Sequence, residues 1–188
     1  MPELEIINGP LSVYWGPVGE SFPAVSAAPA GNWALLGTSG AANYTDDGVS
    51  VRHEKSVEYF RALASGYPRK SFITEADTFI AVTMVDMTLA QMRLALNQNT
   101  VTADTGFDYV SLDIGVDVSE IALLVRGTGK SPLFDGSNLQ FEFDKVVEEG
   151  SRDLNFSKGE PVGAELMFRV IYNDGATYPV GRYVAADA

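Results

Sequence analysis

The sequence predicts a mostly β protein, an antiparallel β-sandwich or barrel with one short α-helix and an extended loop or hairpin arm. Three observations carry that expectation. Apolar and polar residues alternate at period two through most of the chain. Clusters of Gly, Pro, Asn and Asp break the runs at the spacing of an antiparallel fold, and only one stretch shows helical spacing. The 188 residues are most simply one domain over 1–188, with long loops at about 16–31 and 61–77, and 46% hydrophobic content is enough for its own core.

The first strand is "LSVYW", Leu11 to Trp15. A Pro/Gly/Ala/Ser-rich loop follows, expected as mobile chain, and then "NWALLG", Asn32 to Gly37. In "GVSVRHEKSVEYF", Val49, Val51 and His53 alternate against Ser50, Arg52 and Glu54, which puts His53 on the apolar-facing side as a hydrogen-bonded structural histidine. From Arg61 to Asp77 the pattern breaks at Gly66 and Pro68 and reads as an extended loop or open hairpin. Five of the 13 Lys/Arg lie between Arg52 and Lys70, so this region is basic on an acidic chain and suits docking onto an acidic partner surface.

"TFIAVTMVDM" reads as a buried strand, and "TLAQMRLALN" as the helix. Thr88 can cap it with Gln91 completing a capping box, Leu89, Met92 and Leu96 form its apolar face, and Asn97 or Asn99 ends it. The helix is expected to plug one opening of the sheets. Further strands are Tyr109 to Val118, Ile121 to Val125, Leu139 to Val147 and Ala164 to Tyr172. Asn173-Asp174-Gly175 then signals a hairpin turn into a terminal strand, "ATYPVGRYV".

Chemistry is hard to find in these residues. "RGTGKS" ends like a phosphate loop, but Leu124 stands where that loop needs glycine, and Pro132 and Gly136 follow where its helix should begin. A surface turn leaving a buried strand is the better reading. The chain has no cysteine and one histidine, which removes thiol chemistry and two-histidine metal motifs, and no nucleophile elbow is present. We expect no enzyme activity, no metal and no cofactor. No basic, apolar leader opens the sequence and no run approaches a membrane span, so no membrane association is expected. A net charge of −12 argues against gripping nucleic acid through its phosphates.

The acidic residues are patterned. No Lys or Arg falls between Arg93 and Arg126, where Asp104, Asp108, Asp113, Asp117 and Glu120 all lie. On a strand over 109–118, Ser111, Asp113, Gly115 and Asp117 would share one face. In "LQFEFDKVV", Glu142 and Asp144 would face away from Phe141 and Phe143.

The order of these pieces resembles the siphophage major tail tube proteins, a family that shares its fold with the ring-forming tube protein of type VI secretion systems. The resemblance runs over roughly Leu11 to Asp174. It rests on "LSVYWGPVGESFPAV", "NWALLGTSG", "DDGVSVRHEKSVEYFRAL" and "GYPRKSFITEADTFIAVTMVDMTLAQMRLALNQNTV", closing with "LQFEFDKVV" and "GEPVGAELMFRVIYND". Its most specific part is the strand, Thr-initiated helix and Leu-Ala-Leu-Asn sequence from Phe79 to Asn97.

The resemblance implies a structural virion protein whose hexameric rings stack into a tail tube that conducts DNA during ejection. The implied partners are further copies of the chain, a tail tip or baseplate initiator, a tape measure protein, and terminator and neck proteins. Its place would be the virion tail, built in the host bacterial cytoplasm. DNA would pass without specific binding, because an acidic wall repels the duplex over about 8 Å at physiological salt. Asp113, Asp117, Glu142 and Asp144 are the lumen-lining candidates. Arg61, Tyr67, Arg69 and Lys70 are the candidates for ring-to-ring contact. Two other readings are a terminator, connector or secreted ring of the same fold, and a β-barrel enclosing a small ligand.

Overall fold

The computed structural model describes residues 9–63, 65–86, 88–113, 117–132, 136–150 and 163–186. Among them the strands are β1 (Ser12–Gly16), β2 (Ala34–Leu35), β3 (Tyr44–Phe60), β4 (Lys70–Met84), β5 (Val101–Asp104), β6 (Phe107–Val110), β7 (Glu120–Gly127), β8 (Leu139–Glu148), β9 (Ala164–Val170) and β10 (Arg182–Ala185). The helix α1 (Leu89–Ala95) lies between β4 and β5, and a 3-10 turn covers Gly40–Asn43. The protein is mostly β, as its residue pattern predicts.

Eight strands form one antiparallel sheet in the order β2-β1-β7-β8-β9-β4-β3, with β10 beside β8, and β5 and β6 make a separate hairpin. The sheet is no closed barrel, because β2 and β3 stand at opposite ends of it. It nevertheless folds over on itself. Laid flat, β1 and β3 would stand about 24 Å apart at about 4.8 Å per strand. Instead the Val13 N–H donates to the Tyr44 hydroxyl at 3.1 Å, and that hydroxyl donates to the Leu36 carbonyl at 2.8 Å.

The fold-over begins at β8. One edge of β8 pairs with β7; the other is shared between β10 along Leu139 to Glu142 and β9 along Val146 to Glu148. The two leaves that result enclose a single apolar core. Val13, Leu123, Val125 and Phe143 come from one leaf, and Ile80, Val82, Met84, Leu166 and Phe168 from the other. Leu94 and Ala95 of α1 join the same core.

β7 explains its own unbroken apolar run. Ile121, Leu123 and Val125 face the main core, while Ala122 and Leu124 pack under Trp33 on the outer face. A strand covered on both faces has no polar side to alternate with. At its end Gly127 to Lys130 make a turn, with Gly129 at φ 67, as the surface-turn reading of "RGTGKS" expects.

The long loop after β1 is anchored rather than mobile. Its carbonyls need partners once they lie against the sheet. Gln140 donates to Pro23 O at 3.0 Å, Arg126 to Ala24 O at 3.0 Å and to Ala27 O, and Asn138 to Val25 O at 2.9 Å. Trp33 Nε1 donates to Ser21 O at 3.0 Å, and its ring lies 5.1 Å from that of Phe22.

Several local expectations change. Lys70 to Asp77 is strand, and among the described residues only 61–63 and 65–69 lie between the two strands, so the arm is a long β-hairpin. The strand expected over 109–118 ends at Val110; Ser111 to Asp113 and Asp117 are not strand, and Ile114, Gly115 and Val116 lie outside the described residues. Asn97 Nδ2 bonds the Asp117 carbonyl and Asn99 Nδ2 bonds the Ser111 carbonyl at 2.9 Å, so side chains past the helix end take up carbonyls a neighbouring strand would have held.

In α1 the Thr88 hydroxyl accepts from the Gln91 N–H at 3.4 Å, but Gln91 Oε1 is buried without a partner, so the capping box is half made. The buried helix face is Gln91, Leu94 and Ala95, while Leu89, Met92 and Leu96 are only partly covered. Asn97 and Gln98 end the helix at φ 54 and 60. His53 is exposed, not apolar-facing, because β3 has left the core there; its Nδ1 shares a 2.8 Å hydrogen bond with the Thr78 hydroxyl. Asn173 makes its turn, with Ala176 N donating to its carbonyl at 3.1 Å, yet β9 and β10 both pair with β8 and not with each other. Gly181, at φ 99, is needed there: a Cβ would collide with the Glu142 carbonyl and the Phe143 ring.

Candidate functional site

Beyond the core, the β3–β4 pair projects as a two-stranded ribbon. β4 has β9 as its second neighbour only from Phe79 to Met84, whereas its pairing with β3 continues to Phe60 opposite Lys70. The free part runs from His53 to Phe60 and from Lys70 to Thr78, about 25 Å at ~3.3 Å per residue. A bulge between Ser56 and Val57 leaves Thr74 out of register, where its hydroxyl donates to Ser56 O at 3.3 Å, and such a bulge re-aims the outer ribbon.

Outside the bulge the register puts Val57, Tyr59, Ser71 and Ile73 on one face and Glu58, Phe60, Lys70 and Phe72 on the other. Both faces carry large apolar side chains open to solvent, since Tyr59, Phe60, Phe72 and Ile73 are all exposed, as are Leu63 and Tyr67 at the tip. An isolated two-stranded ribbon is marginal in water, and this one exposes the side chains that a third layer would cover.

The ring-contact candidates meet at this tip. Arg61 Nη1 donates to Gly66 O at 3.2 Å and the Arg69 N–H to Phe60 O at 2.8 Å, which closes the turn. Tyr67 is 83% exposed, and Lys70 Nζ sits 5.0 Å from the Phe72 ring centroid. The base of the arm is tied to the body. Arg169 of β9 donates to Asp77 Oδ1 through Nε at 3.0 Å and Nη2 at 2.6 Å, and its guanidinium lies 5.6 Å from the Phe79 ring centroid. That bond and the Asp77 charge push the Arg169 pKa up.

The lumen-lining candidates fall in two separate places. Asp113 and Asp117 are exposed in the segment between β6 and β7, which Asn97 and Asn99 bind to the end of α1. Glu142 and Asp144 lie on β8, where Glu142 stands directly opposite Arg182 of the neighbouring β10. The open acidic face expected there is a correction for Glu142, which is 2% exposed. Its carboxylate accepts from Arg182 Nε at 2.5 Å and from Gln140 Nε2. Gln140 in turn accepts from Arg126, whose pKa burial pushes down while Tyr14 and Glu142 oppose the shift.

Asp144 is half-buried, and burial together with the Glu142 charge pushes its pKa up, with Arg182 opposing. These groups and Tyr178 line an open cleft of about 330 Å³. The chain of Arg126, Gln140, Glu142 and Arg182 chiefly holds loop, sheet and β10 together.

Two groups of surface residues escaped the sequence reading. Phe107 and Tyr109 stand outward on β6, 6.2 Å apart between ring centroids. The arm's Tyr59, Phe60, Phe72 and Ile73 were also missed, although they carry a signal: apolar residues occur at both parities of the strand, so no one-sided burial can cover them. No family model matches the chain, and no curated protein matches it.

Proposed function

We propose that this chain is a structural ring-forming protein of a phage tail tube, in which copies join into hexameric rings and the rings stack into a conduit for DNA. The observation that carries the reading is the projecting β3–β4 arm, with exposed aromatic and aliphatic side chains on both faces and covered by nothing in its own chain among the described residues. A folded chain that keeps such a ribbon gains its missing layer from a neighbour. The 17-residue β3 also ends the sheet, and an open edge of that length is an aggregation hazard unless pairing with another copy is its purpose.

In this reading Arg61, Tyr67, Arg69 and Lys70 contact the adjacent ring, and an interface of about 800 Å² per partner is within reach of an arm this long. Asp113 and Asp117, exposed and carrying no nearby Lys or Arg in sequence, are the first candidates for a DNA-repelling wall; Glu142 and Asp144 contribute less, one being ion-paired and the other half-buried. The partners would be further copies, a tail tip or baseplate initiator, a tape measure protein and terminator and neck proteins.

Negative-stain electron microscopy across a concentration series tests the proposal. Hollow tubes of stacked rings are expected, and R69E/K70E should abolish them. Discrete single rings at every concentration would favour a terminator or connector instead. Monomers throughout, in the presence of tail-tip extract as seed, would overturn the reading.

A further inference from the structure

If the arm finds its covering layer on another copy, the surface of the chain has to offer a place for it. The arm tip is aromatic and basic: between Phe60 and Lys70 the sequence carries Arg61, Arg69 and Lys70 and no acid. Among the described residues the β5–β6 hairpin presents an exposed aromatic surface of the opposite charge. The β5–β6 register places Thr102 opposite Tyr109 and Asp104 opposite Phe107, so these four side chains share one face of the hairpin. The other face carries Val101 and Val110, both half-buried where the hairpin meets α1. The outward face is open: Phe107 is 59% and Tyr109 47% exposed, and Leu112 just beyond is 74% exposed. Asp104 is the carboxylate of that face; Asp108, paired with Ala103, is exposed on the opposite face and adds only to the negative charge of the hairpin, in a stretch of sequence with no Lys or Arg between Arg93 and Arg126.

We infer that the arm tip of one copy docks on the outward face of the β5–β6 hairpin of a second copy. This rests on the assembly reading above and deepens it by naming the acceptor. The two surfaces are alike in exposed aromatic area and opposite in charge. Arm cations can lie over the Phe107 and Tyr109 rings, as Lys70 already lies over Phe72, and can pair with Asp104. Like surfaces are poor partners, since arm on arm brings three cations against three and hairpin on hairpin brings carboxylate against carboxylate. The contact is therefore between unlike patches. Each copy has one arm and one acceptor, so head-to-tail docking runs on into a ring or a filament, as the assembly reading requires, whereas reciprocal exchange about a two-fold axis would close in a dimer.

The absence of cysteine makes the contact directly readable. Leu63→Cys in the arm and Leu112→Cys beside the hairpin change exposed residues, and in chains carrying one cysteine each every adduct joins two molecules. Mixed in equal amounts at physiological salt with a short bis-maleimide, they should give the L63C–L112C adduct several-fold above either self-adduct. Self-adducts in equal or greater yield, or no adduct at any concentration, would overturn the inference.

The arm reversal R61E/R69E/K70E and the hairpin reversal D104K/D108K should each cut the adduct at least tenfold, and pairing a reversed arm with a reversed hairpin should restore it. Local damage would not be rescued, so failed rescue counts against the contact. Fluorescent duplex DNA retained by the unaltered arm without any adduct would assign the arm to nucleic acid and overturn the inference. Electron microscopy of the same samples separates the two readings. Adduct and rescue without hollow tubes remove the tube and leave the contact; normal tubes from D104K/D108K remove the contact and leave the tube.

Discussion

The β7–β8 pair and the outer β3–β4 pair are both antiparallel ribbons with a single register shift, yet one is the centre of the protein and the other stands open to solvent. β7 and β8 have neighbours at both edges, the core on one face and an anchored loop on the other. The arm has one neighbour at each strand's inner edge and a layer on neither face. Backbone pairing is the same in both, so pairing does not decide which residues carry stability. Coverage does, because free energy follows the apolar area taken from water.

The sharpest test of this contrast compares two Phe→Ala changes. Phe143→Ala on β8 should cost about 3–5 kcal/mol in denaturant unfolding, from lost burial plus a cavity. Phe72→Ala on the arm should stay within about 0.5 kcal/mol for the dilute chain while weakening its association in sedimentation. Equal costs would break the comparison.

β3 contains both regimes within one strand, since its first residue enters the core. Tyr44→Phe leaves the Val13 N–H and the Leu36 carbonyl without their partner and should cost about 1–3 kcal/mol. Burial, opposed by the Val13 bond, pushes the Tyr44 hydroxyl up to about 12, against about 10 in the unfolded chain. The folded value is the higher one, so this contribution is intact below pH 10 and is lost as pH rises from 10 toward 12. Equilibrium unfolding of the wild type should show that loss, and Y44F should not.

Asp144→Asn is a smaller effect with a definite sign. The folded pKa is raised by burial and by Glu142, so the wild type loses stability as pH climbs from about 3.9 through that raised value. D144N and wild type should therefore unfold alike at low pH, with the variant the more stable at pH 7. The opposite order would mean that Arg182 outweighs burial at this carboxylate.

The smallest expected effect is local. Asp77→Asn weakens the Arg169 tie at the base of the arm, and amide exchange should speed up from Lys70 to Thr78 while the β7–β8 amides keep their protection. Loss of protection in both places would show that the arm and the centre unfold together.

Much of this division is legible in the chain itself, and the parts that are not share a cause. The apolar run Ile121 to Val125 announces a strand buried on both faces, Thr88 announces the start of the helix, and Arg61 to Lys70 announces a basic tip. Alternation over 109–118 predicted a strand, but Asn97 and Asn99 hold carbonyls of that stretch from the end of the helix. Glu142 reads as an open acid because nothing near it in sequence foretells Arg182, 40 residues away, or a loop folding over its face.

By itself the sequence determined the β class, the helix, the charge of each segment and the lack of thiol chemistry, because period, capping and composition act over a few neighbouring residues. Only the tertiary structure decided that the sheet folds over between β1 and β3, that Glu142 is buried and that the arm stands uncovered. Those outcomes depend on which distant elements supply a second layer, and a side chain's exposure is set by that layer rather than by its neighbours along the chain.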